Sequence, residues 1–459
     1  MSDGRARRLS RGDRRRNDRL ARLRAVVTRE SAVLAFDLAA DKQVCALTDQ
    51  DSQVLARRTV MAKAWQLHEA VEWGLARAAA AGFGSVVVAC EPTGHRWRVL
   101  DQITAGLGVR LVCVQPLLVH RAREAEDFTR NKNDDSDAVI IARLVTELRC
   151  YLPERADPAW ARLRHLGARR VQLVVEVGAA RQQVQDLLEC AWPAALTAAR
   201  DPLESKSWLA AMTVVLDRVG TSGDLSVIRR WGWARFAAAV RRELPAHGTT
   251  RWYSAIVRAV FDAASSAEQA AIGVHAQRAG ALERVRFALE DLARARAQVA
   301  VAEARMLTVL DELQLTALVT SIPGVSAISA AAILAEAGDP ARFSSARALV
   351  KHAGLCPRDN ASGSYQGKTG ISGRGRPELR LAAWRATFAA LRHNTVLAAR
   401  HTHLTTRADN PLTDAQARVA VAGSLLRQLH AVVTRRTAWD PAVAAGVLRH
   451  EDQEGAAAA

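Results

Sequence analysis

Cysteine is scarce in this chain, with six in 459 residues, and no two of them (Cys45, Cys90, Cys113, Cys150, Cys190, Cys356) stand at a metal-chelating spacing. Several sit inside apolar runs, so a disulfide framework and a zinc ribbon are both excluded, and free thiols in a reducing cytoplasm are expected. Long hydrophobic runs are missing too. No stretch approaches the roughly 20 apolar residues that span a bilayer. The Arg-rich N-terminus has no apolar segment of the signal-peptide kind behind it, so a soluble, cytoplasmic protein with no membrane partner is expected. Acidic residues are outnumbered, 47 against 64 Lys and Arg, which gives a formal charge of +17 and a pI of about 10.7. Such an excess points to a polyanionic partner. It is also uneven. Residues 1–30 carry eleven Arg against four acids and residues 351–400 nine Lys or Arg against two, about +7 in each zone.

The length allows two or three domains with cores of their own. Residues 1–30, with Arg14-Arg15-Arg16, read as a basic arm, disordered or frayed helical, of the kind that touches phosphates without sequence choice. An apolar run at 32–36, followed by strand candidates at 43–47 and 53–60 with short polar turns between, predicts an antiparallel meander. A helix over 64–81, a buried strand over 85–90, a helix over 95–107 and a strand over 109–114 follow, an α/β pattern with a mixed sheet. Residues 158–196 and 281–315 have apolar positions three and four apart, which predicts two long helices pairing as an antiparallel coiled-coil arm. A less regular, Trp-rich insert separates them. Ser321-Ile322-Pro323-Gly324-Val325-Ser326 then resembles a helix-hairpin-helix turn, and equally a plain helix connection. A glycine-rich basic loop over 367–376 offers Lys368, Arg374 and Arg376, with Arg380 and Arg385 on the next helix, as backbone contacts to nucleic acid. Residues 449–459 read as a disordered tail.

Four carboxylates stand out. Asp37 and Glu91 end apolar strands, where open α/β sheets place their sites. Asp134 and Asp137 are three apart at the start of a helix and share a face, with Asp135 pointing away. Taken alone, the acidic stretch reads first as an N-cap and a solvated first turn. Taken with Asp37 and Glu91, it makes a four-carboxylate group suited to the divalent ions of two-metal phosphoryl transfer, Mg²⁺ or Mn²⁺.

Asp37, Glu91 in Cys90-Glu91-Pro92-Thr93-Gly94-His95, and the pair Asp134 and Asp137 before Ala138 resemble the DEDD signature of bacterial insertion-sequence transposases, the serine-dependent, bridge-RNA-guided recombinases. Ile322 to Val325, Gly338-Asp339-Pro340-Ala341-Arg342-Phe343 and Ser362-Gly363 before the basic loop match that family's second half, so the likeness spans roughly residues 32–440. Asn133 stands where a Thr often precedes the first paired Asp, and Leu38 follows Asp37 where Gly is common. The resemblance implies an RNase H-like (resolvase-type) domain over 31–155, a helical arm with its insert over 156–315, and a mainly α transposase domain over 316–448. It implies Ser362 as nucleophile, with Ser364 its rival, and a homo-oligomer, dimer to tetramer. It also implies a structured guide RNA that pairs with donor and target DNA. Two other readings stay open: a metal-dependent junction resolvase in which Ser362 is a turn residue, and a binding-only remnant of a transposase.

Overall fold

The computed structural model describes residues 9–126, 134–155, 157–358, 361–362, 365–367 and 370–446. The chain divides into two compact units, Met1–Arg155 and Ala156–Ala459.

The first unit is built on a five-stranded mixed sheet in the order β3-β2-β1-β4-β5. Its strands are β1 (Ser31–Leu38), β2 (Lys42–Thr48), β3 (Val54–Met61), β4 (Ser85–Cys90) and β5 (Arg110–Cys113). β1, β2 and β3 run antiparallel as a meander, and β4 and β5 add to β1 in parallel. β1 is the central strand and is covered on both faces, which is why it reads as an unbroken apolar run. Side chains alternate between the faces. Ala32, Leu34, Phe36, Val88 and Cys90 pack on one side against α2 (Ala64–Ala80) and α3 (Arg96–Gly106). Val33, Ala35, Val87 and Ala89 face the other, under α4 (Pro116–Glu126) and α5 (Asp134–Thr146).

Of the two forms expected for the basic arm, disordered or frayed helical, the described residues take the helical one. Arg11–Arg24 form helix α1, whose N-cap Ser10 accepts from the Asp13 amide at 3.1 Å. Leu23 is buried in the core beneath β1, together with Val27 just past the helix, and these apolar positions at helical spacing anchor an otherwise charged segment.

In the second unit, α6 (Pro158–Ala191) pairs with the helix His275–Glu312. Arg162 bonds Glu312 at 2.7 Å, Arg170 bonds Glu303 at 2.8 Å, and Arg278 reaches the Ala191 carbonyl at 2.9 Å, so the two run antiparallel. The expected irregular insert is instead helical. Lys206–Val219, Trp233–Glu243 and Ser254–Ser265 close a core with the far half of the helical pair. Gly220, Gly223, Gly232 and Gly248 break this region into pieces too short to show a period. Its buried indoles are satisfied: Trp192 donates to the Ala263 carbonyl at 3.1 Å and Trp208 to the Ala195 carbonyl at 2.8 Å.

The remaining helices, among them Ala327–Ala337, Ala346–His352, Pro377–His393, Thr395–Thr406 and Asp414–Arg435, share a core with the near ends of the long pair. In the turn before Ala327–Ala337, Gly324 has φ +78°, and a Cβ there would lie 2.6 Å from the Ala389 carbonyl, so only glycine fits. Among the described residues no helix is long and apolar enough to cross a membrane.

Candidate active site and nucleic-acid interface

Strand alternation decides which way the two sheet carboxylates face. Asp37 continues the series Val33, Ala35, and Glu91 continues Val87, Ala89, so both point to the side covered by α4 and α5. The parallel register pairs Phe36 with Cys90, which brings the next residues, Asp37 and Glu91, abreast on neighbouring strands. Above them, Asp137 heads the buried stripe of α5 that continues through Ala138, Ile141 and Val145, and is itself 3% exposed.

A carboxylate so buried needs a cation. Arg123 of α4 supplies one: its Nε donates to Asp137 Oδ1 at 2.7 Å and its Nη2 to Oδ2 at 2.5 Å, a two-pronged pairing. Asp137 also raises the guanidinium's proton affinity, first through these hydrogen bonds; burial opposes, and the charges of Asp137, Glu91 and Asp37 add to the rise. Three acids therefore share one field around Arg123. Removing the arginine alone would leave an unpaired buried charge, a loss of about 3–5 kcal/mol.

Asp134 opens α5 one turn before Asp137 and is described, like Asp135, by its backbone alone. Among the described residues no three His, Cys, Asp or Glu side chains form a metal-holding group. The donor chemistry nonetheless fits a hard divalent ion, since Asp37, Glu91 and Asp137 bring only carboxylate oxygens to this face. Both Asp137 oxygens are engaged by Arg123.

The basic loop is anchored more firmly than its composition suggests. Two short pairings, β6 (Pro357–Arg358) with β9 (Gly370–Ile371) and β7 (Ala361–Ser362) with β8 (Tyr365–Gln366), fold it back on itself. Ser362 stands opposite Tyr365 and is described by its backbone; Gly363, Ser364 and Lys368 lie outside the described residues. Beyond β9 the chain packs so closely that a Cβ on Gly375 would meet the His352 carbonyl oxygen at 2.4 Å. Arg376 Nε bonds the buried Glu336 at 2.9 Å, and Arg380 donates to the carbonyls of Ala353 at 3.1 Å and Gly373 at 3.3 Å. These two arginines hold the loop in place, whereas Arg374 and Arg385 are exposed. Half-buried His352 takes a contact from Arg342 at 3.2 Å. Burial, followed by the charges of Arg342, Arg376 and Arg164, pushes its pKa down to about 4.

Residues 316–402 match the model of the transposase IS116/IS110/IS902 family, and residues 34–193 match a DEDD transposase model of IS110. The chain belongs to the IS110/IS116 family of transposases. It is therefore a DNA-cleaving and rejoining enzyme. It is 25% identical over 372 residues to the "insertion element IS110 uncharacterized 43.6 kDa protein" of Streptomyces coelicolor, covering 80% of this chain and 86% of that protein. It is 40% identical over 75 residues to the "transposase for insertion sequence element IS1111A" of Coxiella burnetii, 16% of this chain and 21% of that protein. The DEDD match contains the carboxylates and Arg123, and the second match contains Ser362 and the whole basic loop.

The transposase also carries a basic group that sequence reading did not single out. Arg347, Arg400 and Arg427 come from the packed helices Ala346–His352, Thr395–Thr406 and Asp414–Arg435, and all three are exposed. Although Arg427 as a residue is exposed, its guanidinium is half covered, and its proton affinity is lowered first by that partial burial and then by the charges of Arg400 and Arg347. None of the three forms an ion pair among the described residues.

Proposed function

We propose that this transposase is a serine recombinase guided by a structured RNA, with an RNase H-like, Mg²⁺-dependent DEDD site of Asp37, Glu91, Asp134 and Asp137 and with Ser362 as nucleophile. The observation that carries the reading is the shared register of β1 and β4, which sets Asp37 beside Glu91 on the face where Asp137 is buried. A bound Mg²⁺ or Mn²⁺ would polarise the scissile phosphate and stabilise the charge that builds on it. Ser362 Oγ attacks phosphorus and loses its proton to the carboxylate site; the scissile P–O bond breaks, and the departing DNA oxygen takes up a proton. The phosphoserine conserves the ester until a DNA hydroxyl attacks it and frees the serine.

Ser362 has no histidine nearby in sequence to serve as base, so its activation falls to the carboxylate site, and the family resemblance implies that the two parts come together on assembly, between protomers of a dimer or tetramer. Sequence choice falls to base pairing by the RNA, and the net charge of +17 serves RNA shape and DNA backbone. Denaturing gels of end-labelled DNA test the serine step: wild type leaves a protein-linked band and Ser362→Ala leaves none. An adduct mapped to Ser364 overturns the assignment, and strand cleavage by Ser362→Ala favours the junction-resolvase reading.

A further inference from the structure

Arg123 belongs to no motif, yet it is the cation that Asp137 holds and that the charges of Glu91 and Asp37 reach. It satisfies both oxygens of Asp137, which is 3% exposed, and lies in the fields of Glu91 and Asp37 as well. That is the electrostatic position a divalent ion would take. A guanidinium and a divalent cation repel, so the two do not share Asp137 comfortably in a partly buried site. We propose that Arg123 is the built-in counter-cation of the site, holding Asp137 until a divalent metal loads and releasing it when one does. The proposal rests on the metal reading given above.

The surroundings suit an exchange. Arg123 lies one turn from the C-terminal end of α4, on a long, flexible stem, and its side chain is 21% exposed, so water already reaches it. A second link, Arg143 of α5 to Glu126 of α4, joins the same two helices, and Val119 and Ala122 pack with Ile141 in one core. The helices therefore stay together when the Arg123 fork lets go. The arrangement answers a folding problem. Clustered carboxylates repel before any ion arrives, and an internal cation offsets that repulsion at the expense of metal affinity.

The test is Mn²⁺ titration of the full-length protein by calorimetry, with thermal melts in parallel. Wild type should bind Mn²⁺, and Asp37→Asn should weaken that binding. Arg123→Gln should bind Mn²⁺ more tightly, on the order of tenfold, as expected for removal of a competing cation. Its metal-free form should melt lower than wild type and regain more on adding Mn²⁺. Arg123→Lys keeps the charge without the fork and should fall between the two, which guards against a folding defect in the first variant. Equal or weaker Mn²⁺ binding by Arg123→Gln, with wild-type binding intact, overturns the exchange and leaves the metal reading standing. No Mn²⁺ binding by any of the proteins overturns both.

Discussion

Arg376 Nε lies 2.9 Å from Glu336 Oε2, and Glu336 is only 8% exposed, so a residue of the basic loop neutralises an acid inside the C-terminal core. Arg376→Ala should therefore cost stability, about 2–3 kcal/mol, at the low end for a buried pair because the arginine is partly exposed. Arg374→Ala, next to it but exposed, should leave stability within about 0.5 kcal/mol while weakening DNA binding. Urea unfolding of the two variants checks this. Equal stability would mean that the Glu336 pair contributes nothing.

Much of the first unit was legible in the sequence because strands buried on both faces leave long apolar runs, and the acids that end them, Asp37 and Glu91, stand out against those runs. Helix α4 was not legible. Its local signals are Pro116 at the first position and a run of mixed charge, and the acidic stretch after it drew the helix assignment. Arg123 was missed with it, since its bond to Asp137 bridges fourteen residues with no motif on either side. Charge counting found the excess near 351–400 but not its use: it could not tell Arg376, committed to Glu336, from Arg374. Nor could it bring Arg347, Arg400 and Arg427 together, because only helix packing does so. The basic arm left disorder and a frayed helix both open, because eleven arginines mask the few apolar positions that seat α1.

Each proposed DEDD carboxylate should be needed for chemistry and dispensable for binding. Asp37→Asn, Glu91→Gln, Asp134→Asn and Asp137→Asn should each lower strand cleavage by about a thousandfold or more, the scale of losing a main transition-state charge stabiliser. Asp135→Asn should be mild. DNA affinity at fixed salt should hold, because Lys and Arg make the backbone contacts. Full cleavage in EDTA would sink the metal assignment.

His352 makes the C-terminal core sensitive to acid. Its folded pKa is pushed from 6.5 down to about 4, by burial and then by Arg342, Arg376 and Arg164. Below pH 6.5 the unfolded chain takes up this proton and the folded chain does not, so stability is complete above 6.5 and falls as pH drops towards 4. Carboxylates also titrate near the lower end, so the informative quantity is a difference. His352→Gln should lose less of its urea midpoint between pH 7 and pH 5 than wild type. Parallel losses would refute the assignment.

On the guide-RNA reading, the protein purified free of RNA should bind DNA with steep salt dependence and almost no sequence preference, because contacts to phosphate position the chain but carry no sequence information. Binding competitions between cognate and scrambled duplexes measure this. Site-specific recombination by protein and DNA alone would defeat the guide-RNA reading.

The arginine trio yields the sharpest test of where nucleic acid lies. Arg347, Arg400 and Arg427 converge from three helices, are exposed, and have no ion-pair partner among the described residues. Like charges held together cost energy in the free protein, a cost that phosphates would relieve on binding. Each phosphate contact on duplex DNA contributes about 0.9 to the slope of log affinity against log salt. Replacing all three with Gln should therefore flatten that slope by up to about three if each meets a phosphate. The same change should leave the melting temperature level or raise it slightly, since repulsion is removed and no ion pair among the described residues is lost. Fluorescence-anisotropy titrations at several salt concentrations, on DNA and on structured RNA in turn, give the slopes and show which polymer uses the patch. An unchanged slope on both would assign the trio no contact with nucleic acid.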